Sequence, residues 1–137
     1  MSLPSPHQMI EPAGWARPRG YSNLVAATGR QLFLAGQIGW NERLEFTADD
    51  LVGQARQALQ NVVTLLGAAG ARPEHVVRLT WYITDRSAYL NAGPALGAAY
   101  REVMGKHFPA MSAVQVAALI EARALVEIEA TAVVPTP

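Results

Sequence analysis

Residues 125–132 read Leu-Val-Glu-Ile-Glu-Ala-Thr-Ala, an apolar and polar alternation with the period of a strand that commits one face to a core. That alternation puts Glu127 and Glu129 on one face of an otherwise apolar strand, where a carboxylate costs free energy unless it is paired or used. A Glu in that setting is a candidate acid or base. A second strand-like run precedes it, Phe108-Pro109-Ala110-Met111-Ser112-Ala113-Val114-Gln115-Val116, in which Met111 stands where the chain turns from Pro109 into the strand. Met111 carries no charge and no strong hydrogen-bonding group, and it limits the function more than any other residue.

Between them the earlier elements follow from periodicity. Prolines 4, 6, 12 and 18 with Gly14 and Gly20 make residues 1–20 irregular, apart from a short strand near Gln8–Ile10. Ser22–Thr28 and Gln31–Gly39 read as two strands of a hairpin turned at Gly29-Arg30. Thr47-Ala48-Asp49-Asp50 resembles a capping box with Asp in place of Glu, and Leu51, Ala55, Ala58, Leu59, Val62, Leu65, Leu66 and Ala69 recur at helical spacing until Gly70 and Pro73. From Val76 to Thr84 the period becomes two, with Val77, Leu79, Trp81 and Ile83 on one face and Arg78, Thr80 and Tyr82 on the other. Pro94 starts a second helix, carried by Leu96, Ala99, Tyr100, Val103 and Met104 to Gly105. The order is β-β-α-β-α-β-β, an α+β sheet with both helices on one face. The other face lacks cover within one chain, and its small, mildly apolar residues suit packing against other subunits.

Composition narrows the partners. With 137 residues, half of them apolar, the chain is one domain's worth, spanning 1–137. Eleven basic and eleven acidic side chains cancel, so no long-range field gathers phosphate backbones or anionic lipid, and nucleic acid is a disfavoured partner. No cysteine is present, which excludes disulfides and thiolate chemistry. No targeting signal and no membrane-length apolar run is read, and a cytoplasmic location is expected. His7 and His75 lack partners at metal-ligand spacing, so no metal site is indicated. Gly36 and Gly39 form no dinucleotide fingerprint, because no helix follows them, and instead allow close backbone approach.

Six blocks in order resemble the RidA/YjgF family, also described as L-PSP endoribonucleases: Gly20-Tyr21-Ser22, Leu34 to Ile38, Gln54 to Asn61, Val76 to Thr80, Phe108-Pro109-Ala110 and Val126 to Ala130. The resemblance implies a ferredoxin-like subunit similar to the small chorismate mutase fold, a homotrimer packed through its sheets, and a small-molecule ligand in each inter-subunit cleft. In deaminating relatives the cleft uses an Arg in a Pro-Ala-Arg-Ser motif to clamp the substrate carboxylate, a late-strand Glu for water, a first-loop Tyr, a second-helix Asn and a Gly-Gln backbone. Motif by motif, the Glu falls on Glu127, the Tyr on Tyr21 and the backbone contact on Gly36-Gln37. The Arg position is Met111 and the Asn position is Gly97.

A bidentate Arg–carboxylate pair contributes roughly 1.5–3 kcal/mol, so its loss weakens carboxylate binding about 10- to 100-fold. The resemblance therefore implies a cofactor-free enamine or imine hydrolase that is weak on 2-imino acids. A non-catalytic small-molecule-binding or chaperone-like trimer is the alternative, and an endoribonuclease is a third reading that neutral charge opposes. Arg17, Arg19 or Arg123 is a candidate replacement for the clamp. His107 either lines the cleft as an acid or base or simply packs. Glu129 reads as structural, Trp81 as core, and Trp40 as bordering a pocket.

Overall fold

A computed structural model describes residues 3–137; Met1 and Ser2, the first two of the irregular arm, lie outside it. The elements are β1 (Gln8–Met9), β2 (Val25–Ala26), β3 (Arg30–Ile38), α1 (Leu51–Ala68), β4 (Val76–Ile83), α2 (Arg86–Asn91), α3 (Gly93–Met104), β5 (Ala110–Gln115) and β6 (Val126–Val134). Four strands form the main sheet in the order β3-β6-β4-β5, antiparallel except for the β4–β5 pair.

The expected hairpin between Ser22–Thr28 and β3 does not form. Only Val25–Ala26 is strand, and it pairs with β1 as a separate two-stranded ladder. The free edge of β3 stays unpaired by it, while the stretch before β2 crosses to the other edge, where Ser22 bridges Ala110 of β5.

Both long helices cover one sheet face. Ala55, Leu59, Val62 and Leu66 of α1, with Leu96, Tyr100 and Met104 of α3, meet Leu79 and Trp81 of β4 and Val126, Ile128 and Ala130 of β6 in one buried cluster. The 3.6-residue repeat of the helices meets the two-residue repeat of the strands, as the alternation required. Two details differ from the periodic reading. A bulge between Val76 and Arg78 puts Val76 in the core and leaves Val77 half-buried. The helix begins one turn later than a box at Thr47 implies, since Asp50 is its N-cap, and the Asp50 carboxylate accepts no capping hydrogen bond. Gly70 ends the helix turn at φ +74°, which lets Ala71 N–H reach the Leu66 carbonyl at 2.8 Å.

Among the described residues nothing covers the opposite face, as expected, yet its middle is polar rather than small and apolar. The register sets Thr80 beside Glu129, Tyr82 beside Glu127, and Arg78 and Phe33 beside Thr131. Phe33 is 76% exposed there. Tyr82 Oη donates to Glu129 Oε1 at 2.7 Å, which raises the Tyr82 pKa and gives Glu129 the structural role read from the sequence.

Candidate functional site

Three segments close around a cavity of about 570 Å³ on the helix side of the β4–β5 edge. The first is the loop carrying Arg19, Gly20 and Tyr21. It is fixed by Ser22, whose N–H donates to the Pro109 carbonyl at 3.0 Å and whose hydroxyl donates to the Phe108 carbonyl at 2.6 Å. Just before the loop, Glu11 accepts from the Asn23 side chain at 2.8 Å and its N–H at 2.9 Å, bonds that lower the Glu11 pKa.

Aromatic pairs build the walls. Tyr100 stacks on Phe108 with centroids 5.4 Å apart, and Tyr89 meets Trp81 edge-on at 6.4 Å. Burial raises the pKa of both tyrosines, so both stay neutral donors. Met111 is the third wall. It lies opposite Leu79 in the parallel pair, on the helix side, half-buried and packed against the core cluster while its outer side lines the cavity. Gly97 lines the facing helix, so the two positions where the resemblance loses a polar group share one pocket.

His107 is not in this pocket. It is buried behind Phe108, its carbonyl accepts the Tyr100 hydroxyl, and its Nε2 has no partner among the described residues. Its backbone therefore fixes a wall aromatic, because the chain turns at His107 toward Pro109 with the ring directed inward. Arg17 is exposed and outside the cavity, and Arg123 is engaged elsewhere, 2.7 Å from Asp49 Oδ1 and 5.1 Å from the Phe46 ring centroid. A second cavity, of about 490 Å³, lies there, and Trp40 borders it.

Glu127 and Gly36 form a separate cluster on the uncovered sheet face, and Gln37 follows Gly36 along β3, where it pairs with Ile128. A Cβ built on Gly36 would lie 2.5 Å from Glu127 Oε2 and 2.6 Å from Cδ, so the carboxylate rests directly on the bare Gly36 backbone. Gln37 Nε2 donates to the Ala35 carbonyl at 2.9 Å, a bond within its own strand. The close approach at Gly39 has another cause: its Cβ position is 2.6 Å from Gln54 Cβ. Gln54 is buried and holds the start of β6, donating to the Arg123 carbonyl at 3.0 Å and accepting from Leu125 N–H at 2.8 Å.

Because the clash at Gly36 is with the Glu127 side chain from Cγ, at 2.7 Å, outward rather than with backbone, Gly36→Ala should leave the melting temperature within about 2 °C while turning the whole Glu127 side chain away. Thermal melting beside an activity assay checks this; a large melting change would place Gly36 among the core determinants instead.

Within one chain, then, Arg19, Tyr21, Met111 and Gly97 come together, and Glu127 with Gly36-Gln37 lies on the other side of the sheet. Sequence reasoning did not find the other cation at the cavity, Arg101, nor the wall residues Tyr89 and Phe108. The spacing of Gly93, Gly97 and Arg101, four apart on α3, is the signal that places Arg101 there.

A helix-covered sheet with an uncovered face and these sequence blocks defines the Rid/YjgF class, and the chain belongs to that family: the family model described as Endoribonuclease L-PSP matches residues 15–134. It is similar to the RutC family protein PH0854 of Pyrococcus horikoshii, 36% identical over 113 residues, covering 82% of this chain and 85% of the relative. A 2-iminobutanoate/2-iminopropanoate deaminase of Dermatophagoides farinae is 32% identical over 131 residues, covering 95% and 98%. Among solved structures, the Rid family protein YyfB of Yersinia pestis, titled a protein of unknown function, superimposes with TM-score 0.84 at 35% identity, covering 93% of this chain and 98% of that one.

Proposed function

We propose that the chain assembles as a homotrimer in which the cavity of one subunit faces the Glu127–Gly36 cluster of its neighbour, and that the joint cleft hydrolyses a small enamine or imine without a cofactor. The observation that carries this reading is the split itself. Tyr21 and Met111 sit on one side of the sheet and Glu127 on the other, so a second copy is needed to bring them together. Exposed apolar groups on the uncovered face, Phe33 at 76% and Val114 at 45%, support packing between copies. Naming of relatives as 2-iminobutanoate/2-iminopropanoate deaminases supports the reaction class.

Chemically, Glu127 accepts a proton from water as its oxygen bonds to the C=N carbon. The same proton is then returned to nitrogen, and the carbinolamine collapses to a carbonyl compound and ammonia. Backbone N–H groups at Gly36-Gln37 and the Tyr21 hydroxyl polarise the reacting group. With Met111 in place of a cation on β5, small 2-imino acids are poor substrates. A binding-only trimer is the second reading, favoured by the two uncharged positions Met111 and Gly97 in one pocket.

Ammonia release tests it. The three-chain assembly should release ammonia from imines with a sizeable apolar body, release it slowly from 2-aminoacrylate-derived imine, and gain about tenfold or more on the latter in Met111→Arg, the fold-change of one restored charge-assisted pair. A monomer by light scattering, or no ammonia from any imine, would reject the hydrolase reading.

A further inference from the structure

We propose that Arg101, with Arg19 opposite, forms an anion clamp at the mouth of the cavity, so that the site takes a carboxylate with an apolar or aromatic body rather than a small 2-imino acid. This rests on the reading that the cavity is the ligand-binding half of the cleft.

On a helix each side chain leans back toward the N-terminus and covers the position four residues before it. For Arg101 that position is Gly97, which has no side chain, and the guanidinium lies over it: Nη1 is 3.2 Å and Cζ 3.9 Å from where a Gly97 Cβ would be. A larger residue at 97 would displace the group. Gly97 therefore lets Arg101 swing along the helix into the cavity lining, where Arg19 reaches from the Tyr21 loop.

Neither guanidinium is spoken for. Among the described residues the ion pairs use Arg43, Arg56, Arg72 and Arg123, and Arg101 and Arg19 donate no side-chain hydrogen bond. Two uncompensated cations at the rim of a pocket walled by Trp81, Tyr89, Tyr100, Phe108 and Met111 match a ligand that is anionic at one end and apolar along its body. The positive charge stands on α3 rather than β5, facing Met111 across the cavity. A ligand must therefore be long enough to fill the apolar space while its carboxylate meets Arg101, which a two- or three-carbon acid is not.

Isothermal titration with phenylacetate, phenylacetamide and acetate tests the clamp. The native protein should bind phenylacetate at least about tenfold more tightly than either of the others, the fold-change of one charge-assisted pair. Arg101→Met should remove the preference for phenylacetate over phenylacetamide, Arg101→Lys should retain part of it, and Gly97→Leu should mimic Arg101→Met by displacing the guanidinium. Arg17→Met, outside the cavity, should leave it intact. Equal binding of phenylacetate and phenylacetamide, no binding of phenylacetate, or a preference that survives Arg101→Met overturns the proposal. Ammonia release by the native protein separates this from the hydrolase reading: a phenylacetate preference lost in Arg101→Met, in a native protein that releases no ammonia from any imine, means the clamp stands and the hydrolysis does not, while ammonia release without that preference means the reverse.

Discussion

Glu127→Gln should lower ammonia release by about 10²- to 10⁴-fold, the range for loss of a positioned general acid–base, with no loss of stability. Glu127 is half-buried on the uncovered face and makes no side-chain hydrogen bond among the described residues, so the neutral isostere breaks nothing in the fold. It also removes one of two carboxylates on the same strand face, two residues from Glu129, and stability should be equal or slightly higher. Glu129→Gln is the control. It loses the charged acceptor of Tyr82 and should act on stability rather than rate. A Glu127→Gln protein that keeps its rate, or that melts markedly lower, would make Glu127 a structural carboxylate.

The largest effect on the fold is expected from Leu79→Ala. Leu79 is fully buried in β4, between β6 and β5, under both long helices. Truncation should cost about 2–5 kcal/mol, from lost transfer energy and the cavity left behind. In a chain of this size that is a fall of about 10 °C or more in melting temperature. Because the proposed assembly would add to apparent stability by mass action, melting should be compared at one chain concentration. A shift of only a degree or two would mean that the core collapses around the gap.

Much of this architecture was legible because burial and period coincide. From Val126 to Ala132 β6 alternates strictly, with Val126, Ile128 and Ala130 buried and Glu127, Glu129 and Thr131 half-buried, and α1 repeats its apolar stripe from Ala55 to Leu66. The pairing of Ser22–Thr28 was not legible: its residues favour extended chain, but their partner depends on where the Pro-rich arm lies, and that is set by contacts such as Ser22 with Phe108 and Pro109. α2 escaped notice because it is short and buries none of its residues. Only its cap, Asp85 Oδ1 accepting from Ala88 N–H at 3.1 Å, marks it. On the site, Glu127, Tyr21 and Met111 could be matched to a motif, whereas Arg101 looked like any solvated helix charge until the bare Gly97 beneath it was visible in three dimensions.

The strand order also governs how the chain reaches this structure. β6 lies between β3 and β4, pairing Arg30 with Val134 across about three quarters of the chain's length. α1 and β3 can contact each other early, but β3 has no strand neighbour in the main sheet until residues 126–134 arrive. Such non-local closure slows folding relative to a helical domain and leaves β3, with its exposed Phe33, an open edge during synthesis. Refolding rate should therefore respond more to substitutions that weaken the β3–β6 seam than to equally destabilising ones on the outer surface of α1.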